Sequence, residues 1–140
     1  MSVDLAVLVV GDVVAEGAFD LDRDALVHYA GASGDFNPIH YRDDIAAAVG
    51  LPGVIAHGML TMGVAVQPVV DWLGDAGWVE EYQVRFTKPV PVPPEGVATL
   101  AVQAKVGQVD AAAGTARVDL TVRCGAETVL GRAQVRVRVR

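Results

Sequence analysis

The hydrophobic period of this chain changes once, and that change limits what it can fold into. From Gly58 to Leu73 the sequence is apolar over a length suited to one helix, with Met59, Met62, Val66 and Val70 along one helical face and Gly74 as a stop. After Gly77 the period drops to two. Tyr82, Val84 and Phe86 alternate, and residues 97–106, 115–123 and 128–139 form three more runs rich in Val and Thr. A long buried helix followed by a succession of strands predicts an α+β domain, with the helix laid on a mostly antiparallel sheet. One or two strands between Leu5 and Phe19 would bring that sheet to about five or six strands. Pro68 interrupts the helical stretch, so a kink or a restart is expected there. The run from Pro89 to Pro94 cannot lie inside a sheet and reads as an edge or a connection.

A chain of 140 residues with 52% apolar content and one cysteine has material for one core, and is read as a single domain over 1–140. The formal charge of -6 argues against a general grip on nucleic acid or on an anionic membrane. The first apolar run, Leu5 to Val10, has no basic residues before it and stops at Gly11-Asp12, unlike a secretory signal. The stretch from Leu60 to Leu73 is broken by Gln67, Pro68 and Asp71 and is too short to span a bilayer. A cytoplasmic location, with no membrane or nucleic-acid partner, is therefore the expectation.

Two short helices are expected before the long one. Leu26, Tyr29, Ala30 and Ser33 fall at helical spacing behind Asp22 as N-cap, and residues 43–49 form the second helix, stopped by Gly50 and Pro52. Between them lies the densest polar cluster of the chain, Ser33-Gly34-Asp35-Phe36-Asn37-Pro38-Ile39-His40. It sets a carboxylate and an imidazole five residues apart on a loop shaped by Gly and Pro, so both can converge on one water or hydroxyl, which is the equipment of general acid–base chemistry. A second cluster, Ile55-Ala56-His57-Gly58-Met59, stands where the long helix begins. There the Gly58 N–H is one of the unpaired donors at a positive helix end and suits an oxyanion.

Together these clusters resemble the hydratase motif of the MaoC-like (R)-specific enoyl hydratases and dehydratases, and Tyr82-Gln83-Val84-Arg85-Phe86 with Lys88-Pro89-Val90 is similar to the strand that follows the central helix in that family. Within the family, Gly-Asp-x-Asn-Pro-Ile-His and His-Gly-Met-Leu-Thr-Met-Gly look most like the beta-type catalytic subunit of the actinobacterial (R)-3-hydroxyacyl-ACP dehydratases of type II fatty-acid synthesis. The resemblance implies a hot-dog fold, an antiparallel sheet wrapped around the central helix. It also implies reversible dehydration of (R)-3-hydroxyacyl thioesters to trans-2-enoyl thioesters, with acyl-CoA or acyl-ACP as substrate and no cofactor or metal. The expected assembly is a homodimer or a heterodimer with a related alpha-type hot-dog subunit. Carried over by position, Asp35 and His40 match the catalytic pair and Gly58 the glycine whose N–H polarises the thioester carbonyl; Asn37, Ser33 and His57 support them. A non-catalytic acyl-binding or partner-binding subunit, or a hot-dog thioesterase, is the alternative.

Plainer readings stand beside these. An Asp-Phe-Asn-Pro turn is by itself only a turn, and His57 at a helix start serves equally well by bonding a loop carbonyl. His28 reads as a surface residue. A zinc site from His28, His40 and His57 has no compact ligand spacing in its favour. Cys124 reads as an inert thiol, Met59 and Met62 as core filler that can also line an acyl tunnel, and the C-terminal arginines as the wet face of the last strand.

Overall fold

The computed structural model describes residues 2–140. Strand β1 (Val13–Leu21) leads through Asp22 into helix α1 (Arg23–Ser33). A 3-10 turn (Pro38–His40), a short helix α2 (Asp43–Ala48) and the long helix α3 (Gly58–Leu73), with a second 3-10 turn (Gly74–Ala76) behind it, follow. The chain then makes four strands, β2 (Gly77–Phe86), β3 (Ala98–Asp110), β4 (Thr115–Cys124) and β5 (Glu127–Val139). All pair antiparallel in one five-stranded sheet of order β1-β3-β4-β5-β2. The sheet curls around α3, which is the hot-dog arrangement.

The curl has local causes. Between Leu120↔Ala133 and Val122↔Leu130, strand β5 carries one residue more than β4, and Arg132 there adopts a left-handed backbone with φ 45°. Such a bulge bends the strand and increases its twist. Strand alternation supplies the rest: Leu100, Val102, Ala104 and Val106 of β3, with Val118, Leu120 and Val122 of β4 and Val135 and Val137 of β5, all face the core. Arg136 and Arg138, in between, pair with Glu80 of β2 on the outer face, as the period-2 pattern implies.

Two expectations about α3 need correction. Its buried stripe is Thr61, Ala65, Pro68, Val69 and Leu73, whereas Met59 and Val70 are exposed. A helix apolar nearly all round gives periodicity little contrast, and the face chosen by the sheet is the one whose small residues allow close approach. Met59 is accordingly not core filler. Of the two outcomes expected at Pro68, a kink or a restart, the restart does not occur: the helix is continuous from Gly58 to Leu73. The Pro68 ring lies over Gly17 of β1, where an added Cβ would come within 3.1 Å of its Cγ.

The amino-terminal stretch yields one strand, not two. Leu5, Ala6 and Val7 form a turn, Gly11 and Asp12 exchange backbone bonds with Val106 of β3, and strand β1 begins at Val13. The proline-rich connection between β2 and β3 packs its Val90 and Val92 into the core and bridges Ile55 through Pro91. It thereby holds the segment that enters α3. Among the described residues no helix is long and apolar enough to cross a membrane.

Candidate active site

Helix α1 ends where the polar loop begins, and its ends are defined by capping. The Asp22 carboxylate accepts from the Ala25 N–H at the start. At the other end Gly34 adopts φ 76°, a left-handed conformation that glycine takes without penalty, and its N–H donates to the Ala30 carbonyl. The loop then stiffens itself by short-range bonds: the Asp35 N–H donates to Ser33 Oγ at 3.1 Å, the Asn37 N–H to Asp35 Oδ1 at 3.1 Å, and the Ile39 N–H to Asn37 Oδ1 at 3.2 Å. Ser33 and Asn37 therefore shape the loop through its backbone, and one oxygen of Asp35, Oδ2, is left over.

That oxygen faces His40. Asp35 Oδ2 and His40 Nε2 lie 4.0 Å apart, with His40 buried and the Asp35 side chain 51% exposed. The separation is too long for a direct hydrogen bond and leaves both groups free to reach a third atom. The other nitrogen, Nδ1, sits 2.7 Å from the Ile55 carbonyl oxygen. A carbonyl only accepts, so Nδ1 carries the proton and, in neutral His40, Nε2 is the bare nitrogen turned toward Asp35.

His57 braces this pair. Its ring stacks on His40 at 3.8 Å with 21° between the planes, and Tyr29 of α1 meets it edge-on at 4.8 Å. His57 Nε2 donates to the Asp35 carbonyl oxygen at 3.1 Å, the loop-carbonyl bond expected of a histidine at a helix start. Burial holds the His57 imidazole below its ordinary range, with the neighbouring His40 pushing the same way against the Asp35 carbonyl. Asp35, His40 and His57 are close enough to be considered as a metal cluster. Stacked rings, however, send their in-plane lone pairs along nearly parallel lines, and two of the four ring nitrogens are committed to carbonyls.

Gly58 opens α3, so its N–H has no intrahelical partner. It lines a cavity of about 350 Å³ with His40, Thr61 and a wall that includes Ile39, Ile55, Val90, Val129 and Leu130. Phe86 closes over the glycine, where an added Cβ would lie 2.9 Å from the ring. A mostly apolar cavity holding one helix-end donor, one bare imidazole nitrogen and an adjacent carboxylate can move protons beside a developing oxyanion.

Of the residues singled out by sequence, Asp35, His40, His57 and Gly58 come together, with Asn37 and Ser33 supporting the loop. His28 is exposed on α1 and apart from them. Cys124 is half-buried, and burial pushes its thiol up, away from nucleophilic use. Sequence reading missed Thr61, the Ile55 carbonyl and the Phe86 lid. Thr61 could have been found: a hydroxyl three residues beyond Gly58 shares its helix face.

The structure is a hot-dog domain with a carboxylate and an imidazole set beside the start of its central helix. The MaoC like domain family matches residues 9–123, and the chain belongs to that family. In Mycobacterium tuberculosis, 3-hydroxyacyl-thioester dehydratase X is 43% identical over 65 residues, 46% of this chain and 22% of that protein. The peroxisomal hydratase-dehydrogenase-epimerase of Saccharomyces cerevisiae is 38% identical over 81 residues, 58% of this chain and 8% of that protein. The chain thus spans much less than two thirds of these curated relatives. A solved MaoC-like dehydratase superposes with a TM-score of 0.91 at 34% identity, over 99% of this chain and 43% of that one. The (R)-hydratase from A. caviae shares the fold, with a TM-score of 0.83 at 20% identity over 96% of this chain and 98% of that one.

Proposed function

We propose that this chain is a hydro-lyase that interconverts (R)-3-hydroxyacyl and trans-2-enoyl thioesters, with Asp35 and His40 as its acid–base pair and Gly58 as its oxyanion donor. The observation that carries the reading is the unshared Asp35 Oδ2 set against the bare His40 Nε2, 4.0 Å away, beside the unpaired Gly58 N–H. Dehydration removes one proton from C2 and delivers one to the hydroxyl leaving C3, so the enzyme needs two proton sites and no net proton. With Nδ1 held by the Ile55 carbonyl, His40 exchanges protons only at Nε2, and Asp35 Oδ2 is the second site. Charge that builds on the thioester oxygen as C2 loses its proton meets the Gly58 N–H and the positive end of α3. The apolar wall suits an acyl chain, and Lys88, exposed on the same cavity, suits a phosphate-bearing carrier.

Type II fatty-acid elongation is the role proposed for this chemistry, and a second hot-dog chain, identical or related, is the proposed partner. Strand β2 offers an unpaired sheet edge. Phe36, Tyr41 and Met59, next to site residues in sequence, and Phe86, packed against Gly58, are exposed. Solved complexes of the same fold, ChsH1-ChsH2 and HadBC of Mycobacterium tuberculosis, are two-component assemblies.

The test is incubation with trans-2-enoyl-CoA and enoyl-ACP of short and long chain, following loss of the conjugated-enoyl ultraviolet absorbance and the configuration of the product. Formation of the (R)-3-hydroxyacyl thioester is expected. Release of free thiol instead would mark a thioesterase, and no turnover of any substrate by folded protein would reject the proposal.

A further inference from the structure

Among the described residues two buried side-chain atoms lack a hydrogen-bond partner, His57 Nδ1 and the Thr61 hydroxyl, and of these only Thr61 lines the cavity. Its residue is 2% exposed and lines the cavity, yet its hydroxyl has no hydrogen-bond partner. A helical threonine ordinarily settles such a hydroxyl on the carbonyl four residues back. Here that carbonyl belongs to His57 and already accepts from the Leu60 and Thr61 N–H groups, both at 3.1 Å. Burying an unmatched hydroxyl is unfavourable, and where it persists in a cavity wall it is available to a ligand. The direction is also informative. Helical side chains lean toward the helix N-terminus, so Thr61, one turn into α3, leans back toward the end at which the Gly58 N–H is unpaired.

We infer that the Thr61 hydroxyl is the second donor to the thioester carbonyl oxygen, completing with the Gly58 N–H a two-donor oxyanion site. The inference rests on the thioester reading above. An enolate-like oxygen has lone pairs for two donors, and the backbone at α3 supplies one of them from Gly58. Thr61 adds the other from a buried position in the cavity wall, where water does not compete for it. On this account the unpaired hydroxyl is a stability defect kept for catalysis, and its removal separates the two effects.

The experiment compares Thr61→Val, which swaps the hydroxyl for a methyl at nearly constant shape, with Thr61→Ser, which keeps the hydroxyl. Turnover of an enoyl thioester and thermal unfolding are measured on both. Expected for Thr61→Val is a loss of kcat of about 100-fold, the lower end of what one oxyanion donor supplies, with KM changed much less and a melting temperature at or above wild type. Thr61→Ser is expected to recover most of kcat. The inference is overturned if Thr61→Val keeps kcat within about threefold of wild type, if the loss falls on KM alone, or if Thr61→Ser is as impaired as Thr61→Val. It is also overturned if Thr61→Val melts well below wild type, because the hydroxyl would then be holding the fold. A wild-type protein inactive on every enoyl thioester would instead defeat the underlying reading, so the two failures are distinguishable.

Discussion

Two hollows in this molecule treat their polar groups in opposite ways. On the outer face of the sheet, Glu81, Gln83, Arg117, Gln134 and Arg136 line a depression of about 300 Å³. There four of the lining side chains are matched: Arg117 pairs with Asp119 at 2.9 Å, Arg136 with Glu80 at 3.3 Å, and Gln83 donates to Gln134 at 2.8 Å. At the site cavity the matching stops short. Asp35 Oδ2, His40 Nε2, the Gly58 N–H and the Thr61 hydroxyl are held in position by neighbours that occupy their other atoms, yet each lacks a partner of its own. Polar groups paired with one another contribute solubility and a little stability, whereas positioned groups left unpaired are available to a substrate.

The sharpest way to break this contrast is Asp35→Asn. It replaces the unshared Oδ2 with an amide group while keeping the loop's shape, and should lower kcat/KM by about 10²- to 10⁴-fold, measured by enoyl-thioester hydration, with unfolding unchanged. Gly58→Ala comes next. Its Cβ would meet the Phe86 ring at 2.9 Å, and because Phe86 is exposed the ring can swing away, at the expense of the cavity it closes. Activity should fall by about 10- to 100-fold with little loss of melting temperature, since the damage is to geometry at the donor and not to the core.

His57 extends the comparison to pH. Its folded-state imidazole is held below the ordinary value by burial, so the folded protein favours the neutral ring more than the unfolded chain does. The stability this gives is fully present above the unfolded value of about 6.5 and is lost as pH falls below it. Urea midpoints should therefore drop from about pH 6.5 downward, by up to about 1.4 kcal/mol per pH unit from this group. His57→Gln, which keeps a donor for the Asp35 carbonyl without a titrating ring, should flatten that portion of the curve. The smallest effect belongs to the outer face: Asp119→Ala breaks a half-exposed pair and should cost less than about 1 kcal/mol in unfolding, with hydration activity unaffected.

Much of this was legible in the sequence wherever a local rule acts alone. Asp22 and Gly34 bracket α1 because capping depends on a few neighbouring atoms, and the Asp35 to His40 loop is visible because Asn, Gly and Pro constrain backbone locally. The period-2 runs located β3, β4 and β5 to within a few residues, because strands with one buried face must alternate. What was hidden depends on partners far along the chain. The buried stripe of α3 is chosen by which face the sheet approaches, so Met59, read as part of the buried face, is exposed while Thr61 is buried. The His40 tautomer is set by the carbonyl of Ile55, fifteen residues away, a backbone atom that no side-chain pattern announces. Of the one or two strands expected between Leu5 and Phe19 only β1 forms, because its place is set by where the chain meets β3, a partner on the far side of α3 in sequence.

The central claim is that Asp35 and His40 act as one proton-handling unit, and a double-mutant comparison tests it most directly. Hydration rates of Asp35→Asn, His40→Gln and the double variant are measured on one enoyl thioester, with folding checked by thermal unfolding. If the two residues work as a unit, each single variant loses most of the activity and the double variant is no worse than the weaker single. Near-wild-type turnover by either folded single variant, or losses that simply multiply in the double, would contradict the account.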